Sequence, residues 1–133
     1  MKVYTSYFGN LKRLYASGIE PVGIARYQPK WFNGRNMKQL SPTSYMLSDR
    51  CSREDYLRLY NAILENLNLE QLKSELESIG RDVALCCYEK PEDFCHRHLL
   101  ADFLNKHGWD VQEFGFNPHK KVQEPEPEQM SLF

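Results

Sequence analysis

From Val83 to Tyr88 the chain reads Val-Ala-Leu-Cys-Cys-Tyr, without a charged residue. A short apolar run bounded by polar residues suits a strand covered on both faces, as in a parallel sheet. Beyond Pro91 the period changes: Phe94, Leu99, Leu100, Phe103 and Leu104 recur at helical spacing, and Glu92 and Asp93 offer capping oxygens. A strand, a polar turn and a helix in succession form the repeating unit of parallel α/β sheets. In such a unit the helix N-terminus stands at the carboxyl edge of the sheet, where open α/β folds bind ligands.

Two further strands are readable upstream. Lys2–Tyr7 is β-branched and aromatic, and a helix through Leu11, Leu14 and Tyr15 follows it, closed by Gly18. Ile19–Ala25 supplies the second strand, entered through Pro21. Ser52 opens a helix with one apolar face, Tyr56, Leu59, Tyr60, Ile63, Leu64 and Leu67; a core role is favoured for both tyrosines. Asn68 caps a second helix that Gly80 stops. After the central unit, Gly108 ends the last helix and Trp109–Phe114 alternates as an edge strand. The expected fold is α/β: a small three-layer Rossmann-like domain over residues 1–117, with a mostly parallel sheet of about four strands.

If the first two strands run parallel, Thr5, Ser6 and Arg26 emerge at the same edge as the turn carrying Cys95, His96 and Arg97. Three chemistries compete there. The helix N–H groups and Arg97 suit a phosphate or carboxylate, with Arg26, Lys90, His96, Thr5 and Ser6 as further ligand-binding candidates. Cys95 beside Arg97 at a helix start has its thiolate favoured, as a nucleophile requires, and Glu89 at the strand end is placed for general-base work, so both are candidate catalytic residues. Cys87, Cys95, His96 and His98 could hold a metal. Adjacent helical residues, however, splay about 100° apart and no paired ligand spacing is present, so no metal site and no cofactor are expected.

The segment Leu-Cys-Cys-Tyr-Glu-Lys-Pro-Glu-Asp-Phe-Cys-His-Arg-His-Leu-Leu-Ala, residues 85–101, resembles the signature of the bacterial family catalogued as domain of unknown function 488. Members carry a Cys-x-Glu segment, an acidic turn and Cys-His-Arg opening a helix. The resemblance extends loosely over about a hundred residues and implies a fold more than a reaction. An Arg also follows the second strand in that family, often as Asp-Val-Arg; here Ile24-Ala25-Arg26 keeps the Arg and lacks the acid.

At 133 residues there is room for one domain and a tail. A net charge of −1 gives no global attraction to nucleic acid, so anion binding must come from a local patch. No apolar run approaches the roughly 18 residues of a membrane span and no signal-peptide pattern opens the chain, so a cytoplasmic location and no membrane partner are expected. The four cysteines then fit reduced thiols.

Residues 30–50 read as a long loop. Trp31 with Arg26, Lys30 and Arg35 makes a basic-aromatic cluster suited to stacking a base; alternatively Trp31 and Phe32 cap the edge of the core. From Pro118 the composition turns polar, and residues 118–128, rich in Pro and Glu, read as a disordered linker. Gln129-Met130-Ser131-Leu132-Phe133 follows and is similar to the short peptide by which bacterial replication and repair proteins dock on the DNA sliding clamp. Leu132 and Phe133 would fill an apolar pocket while the Gln129 amide makes directional hydrogen bonds. The expected function is a nucleotide- or nucleic-acid-directed protein that binds a phosphate-bearing ligand and is recruited to replication or repair sites by that tail. A non-catalytic adaptor and a cysteine-thiol hydrolase are the alternatives.

Overall fold

The computed structural model describes residues 1–88 and 95–115. Among these residues five strands form one sheet: β1 (Val3–Tyr7), β2 (Glu20–Gly23), β3 (Arg35–Asn36), β4 (Val83–Cys87) and β5 (Val111–Glu113). Their order is β3-β2-β4-β1-β5 and every pairing is parallel. The α/β class therefore stands, with one strand more than expected. The addition is β3, two residues inside the long loop that pair Val22 with Arg35 and Gly23 with Asn36.

Among the described residues four α-helices accompany the sheet: α1 (Leu11–Ala16), α2 (Arg53–Glu65), α3 (Leu69–Glu77) and α4 (His96–Lys106). The starts of α2 and α3 follow from capping chemistry: the Ser52 hydroxyl accepts from the Asp55 backbone N–H and the Asn68 side-chain Oδ1 from the Gln71 backbone N–H, each at 3.0 Å. Gly80 and Gly108 end α3 and α4 at φ of 85° and 93°, a left-handed backbone that other residues resist.

Alternation along β4 divides the core. Val83, Leu85 and Cys87 face α2, α3 and α4, packing with Leu64, Leu76, Leu100 and Leu104. Ala84 and Cys86 face the other way, toward Leu14 of α1 and the rings of Phe8 and Phe32. Every residue of β4 is buried, as its continuous apolar run requires. The result is three layers.

The crossovers place the site. The chain leaves β2 outward to its neighbour β3, and leaves β4 the other way, past β1, to reach β5. Adjacent strands whose connections depart in opposite directions leave a crevice at their carboxyl ends. Residues following β2 and β4 line it.

Candidate functional site

A cavity of about 310 Å³ opens at this carboxyl edge. Ala25, Arg26 and Tyr27 reach it from the end of β2, Cys87 and Tyr88 from the end of β4, and Cys95 and His96 from the start of α4. Tyr56 of α2, Pro42 and Leu47 complete the wall. Hydrogen bonds hold the rim: the Tyr88 hydroxyl donates to the Tyr27 carbonyl at 2.6 Å, and the Tyr27 and Ser44 hydroxyls lie 2.7 Å apart. Both rings remain more than half exposed. Phe8 beneath them contacts Tyr88 and Trp31 edge-on, so exposed aromatic surface gathers at this edge. Trp31 is 62% exposed whereas Phe32 is buried, so of that pair Phe32 caps the core and Trp31 lies on the surface.

Arg26 donates through Nε to the Pro42 carbonyl at 2.9 Å, and its two terminal amino groups make no hydrogen bond among the described residues. Arg97 is placed quite differently. It is fully buried, gives a two-pronged contact to Glu113 (Nε to Oε1 and Nη2 to Oε2, both 3.1 Å), and donates through Nη1 to Cys87 Sγ at 2.8 Å. Thr5 Oγ1 donates to the same carboxylate at 2.7 Å. The Arg97 charge is thus balanced at short range by an acid the sequence reading did not single out. One signal was available: Glu113 shares the inward-facing alternation of Val111 in an edge strand, and a carboxylate on a buried face needs a cation.

Among the expected ligand-binding residues, Arg26 and His96 therefore line the cavity together with Cys95. Thr5 and Ser6 are buried within β1, the first bonded to Glu113, the second accepting from Asn10 Nδ2 at 3.2 Å. Glu89 and Lys90 lie outside the described residues, as do Glu92, Asp93, the 118–128 segment and Gln129–Phe133.

Cys95 is the N-cap of α4 rather than a member of its first turn. Its backbone is extended (φ −156°, ψ 144°), so the angular splay of neighbouring helical side chains does not govern it. Its sulfur lies 3.7 Å from His96 Nδ1 and is joined to Cys87 Sγ as a disulfide; Cys51 and Cys86 are free thiols. The expectation of four reduced cysteines differs from this pairing, whose Cα atoms, 7.6 Å apart, stand wider than the roughly 4.4–6.8 Å usual for a disulfide. Cys86, on the opposite face of β4, is core: burial pushes its thiol up to about 12.

His96 is nine-tenths or more buried, and its Nε2 lies 2.7 Å from the Ile24 carbonyl. A carbonyl only accepts, so Nε2 carries the proton. Burial, helped by the Arg97 charge, holds the ring pKa down to about 4, against the pull of the Ile24 hydrogen bond. The neutral ring then turns the lone pair of Nδ1 toward the Cys95 sulfur. Cys87, Cys95 and His96 bring their donor atoms within 4.8 Å of one another.

Residues 8–108 match the family model DUF488-N3a, described as the active DUF488-N3 subclade. The chain belongs to the DUF488 family. The matched span includes Arg26, Cys87, Cys95, His96 and Arg97, and ends before Glu113. No curated protein and no solved structure matches the chain. No helix among the described residues of this DUF488 protein is long and apolar enough to cross a membrane.

Proposed function

We propose that this DUF488 domain binds a phosphate-bearing ligand of nucleotide type, free or within a nucleic acid, in the pocket at the carboxyl edge of β2 and β4. The observation that carries the reading is Arg26: a guanidinium lining the cavity, its terminal amino groups without a hydrogen bond among the described residues. A planar, permanently charged fork suits a phosphate, and such a charge-assisted contact contributes about 1.5–3 kcal/mol. Tyr27 and Tyr88 present rings at the rim on which a base can stack, worth about 1–3 kcal/mol. The cavity is at the small end of the roughly 300–1,000 Å³ range of ligand sites, which favours a single nucleotide over a larger cofactor.

A thermal-shift screen of inorganic phosphate, nucleoside monophosphates and short single-stranded oligonucleotides tests this. The parent chain should be stabilised by at least one nucleotide-bearing probe, and Arg26→Ala should lose that shift while keeping its fold. Equal shifts in parent and variant, or none in either, would overturn the reading.

The proposal extends to delivery. The 118–128 segment acts as a tether and Gln129–Phe133 docks on a bacterial sliding clamp, a reading supported by the sequence pattern alone. A labelled peptide of residues 127–133 should bind such a clamp at roughly micromolar strength, and replacing Leu132 and Phe133 by Ala should abolish it. Whether the domain also catalyses turns on Glu89: an adaptor tolerates Glu89→Gln, whereas acid-base chemistry on the bound ligand does not.

A further inference from the structure

We infer that Cys87, Cys95 and His96, when the two cysteines are reduced, bind a single zinc-type divalent cation whose fourth coordination position opens into the pocket. The donor set comes first. Two sulfurs and an imidazole nitrogen lie within 4.8 Å of one another, and all three residues are buried. Soft thiolates with an imidazole select zinc and its neighbours over magnesium or calcium.

The histidine is prepared as a ligand. Its Nε2–H is fixed on the Ile24 carbonyl at 2.7 Å, so the lone pair of Nδ1 faces the Cys95 sulfur. Anchoring one ring nitrogen on a backbone carbonyl so that the other can ligate is the usual arrangement around metal-bound histidines. On the thiolate side Arg97 Nη1 donates to Cys87 Sγ at 2.8 Å, while Glu113, oriented by Thr5, balances the Arg97 charge. The charges close as well: two thiolates neutralise a divalent ion, and Arg97 with Glu113 is neutral by itself, so the cluster adds no net charge to a buried place.

Backbone spacing points the same way. The Cα atoms of Cys87 and Cys95 are 7.6 Å apart, wider than the roughly 4.4–6.8 Å across which disulfides usually form. An ion about 2.3 Å from each sulfur lengthens the bridge between them. Three protein ligands beside a cavity of about 310 Å³ match the open coordination of catalytic zinc sites rather than the closed set of structural ones.

The chemistry balances in two steps. A small thiol reductant supplies two electrons and two protons to open the Cys87–Cys95 disulfide, and is itself oxidised to a disulfide. The ion then displaces both thiol protons to solvent. The inference stands apart from the nucleotide proposal, since the ion needs only these residues.

Cobalt titration of the full-length chain, reduced and desalted without air, tests it. One equivalent should give a thiolate-to-cobalt charge-transfer band in the near ultraviolet with tetrahedral visible bands, and zinc should bleach both. Cys87→Ser and Cys95→Ser should each remove most of the band, His96→Ala should weaken binding at least tenfold, and Cys51→Ser should change nothing. Because a core cysteine variant can fail to fold, the parent chain provides a second readout: zinc should protect Cys87 and Cys95, but not Cys51, from maleimide modification. Absence of the charge-transfer band, its persistence in both cysteine variants, or loss of protection at the pair alone would overturn the inference.

Discussion

Arg26 and Arg97 stand near one sheet edge and have opposite employment. Arg97 sits in the most conspicuous motif of the chain, yet its guanidinium is fully buried and held in two prongs by Glu113. Arg26 follows a plain strand, and among the described residues only its Nε is engaged, by the Pro42 carbonyl. The difference shows that the pairing of a cation, more than the motif around it, decides whether it can meet a ligand. A buried, matched ion pair fixes architecture, here β5 against the start of α4; a partly exposed guanidinium lining a cavity is available to an anion.

The largest effect should come from breaking the first arrangement. Arg97→Ala leaves the Glu113 carboxylate buried without its cation and should lower unfolding free energy by about 3–5 kcal/mol in denaturant titration. Arg97→Lys should recover only part of this, because an ammonium cannot reproduce the two-pronged contact. Full stability in Arg97→Ala would erase the contrast between the two arginines.

Next comes Tyr60, the buried link between α2 and the pocket floor. Its hydroxyl donates to the Leu40 carbonyl at 2.6 Å and its ring packs edge-on against His96. Tyr60→Phe should cost about 1–3 kcal/mol by leaving that carbonyl unpaired. Burial raises the Tyr60 pKa above its ordinary 10.0, and Tyr56 adds to the rise. The unfolded chain therefore releases the proton first, and the Tyr60 contribution to stability, complete below pH 10, falls as pH climbs beyond it. The variant should show a shallower alkaline decline; an unchanged slope would remove Tyr60 from that account.

Arg26→Ala should have the smallest effect on folding, about 1 kcal/mol for one lost hydrogen bond, and the largest on the ligand. A stability loss as great as that of Arg97→Ala would mean that Arg26 too is structural.

What the sequence disclosed follows from which interactions are local. The unit of β4 and α4 was legible because a continuous apolar run followed by a helical repeat leaves few alternatives, and Ser52, Asn68, Gly80 and Gly108 mark helix ends through contacts a few residues away. β3 was not, since two residues in a loop become a strand only by pairing with Val22 and Gly23. At the site, the convergence of Arg26, Cys95 and His96 followed from parallel strands ending at one edge. The partnership of Arg97 with Glu113 depended on β5 lying beside β1, in the register that sets Thr5 opposite Glu113. Cys95 was misplaced by one residue: read inside the helix, its side chain diverges from that of His96; as an extended N-cap it approaches Nδ1. Helix boundaries are fixed only to within a residue or two by sequence, and here one residue separates a scattered set of donors from a cluster.

The most direct test of the central claim is calorimetric titration of a nucleoside monophosphate into the parent chain and into Arg26→Ala, each checked for its fold. Saturable binding by the parent, weakened at least tenfold in the variant, is the predicted result, tenfold being about 1.4 kcal/mol. Equal affinity in the two proteins, or no heat of binding in the parent up to millimolar ligand, would contradict it.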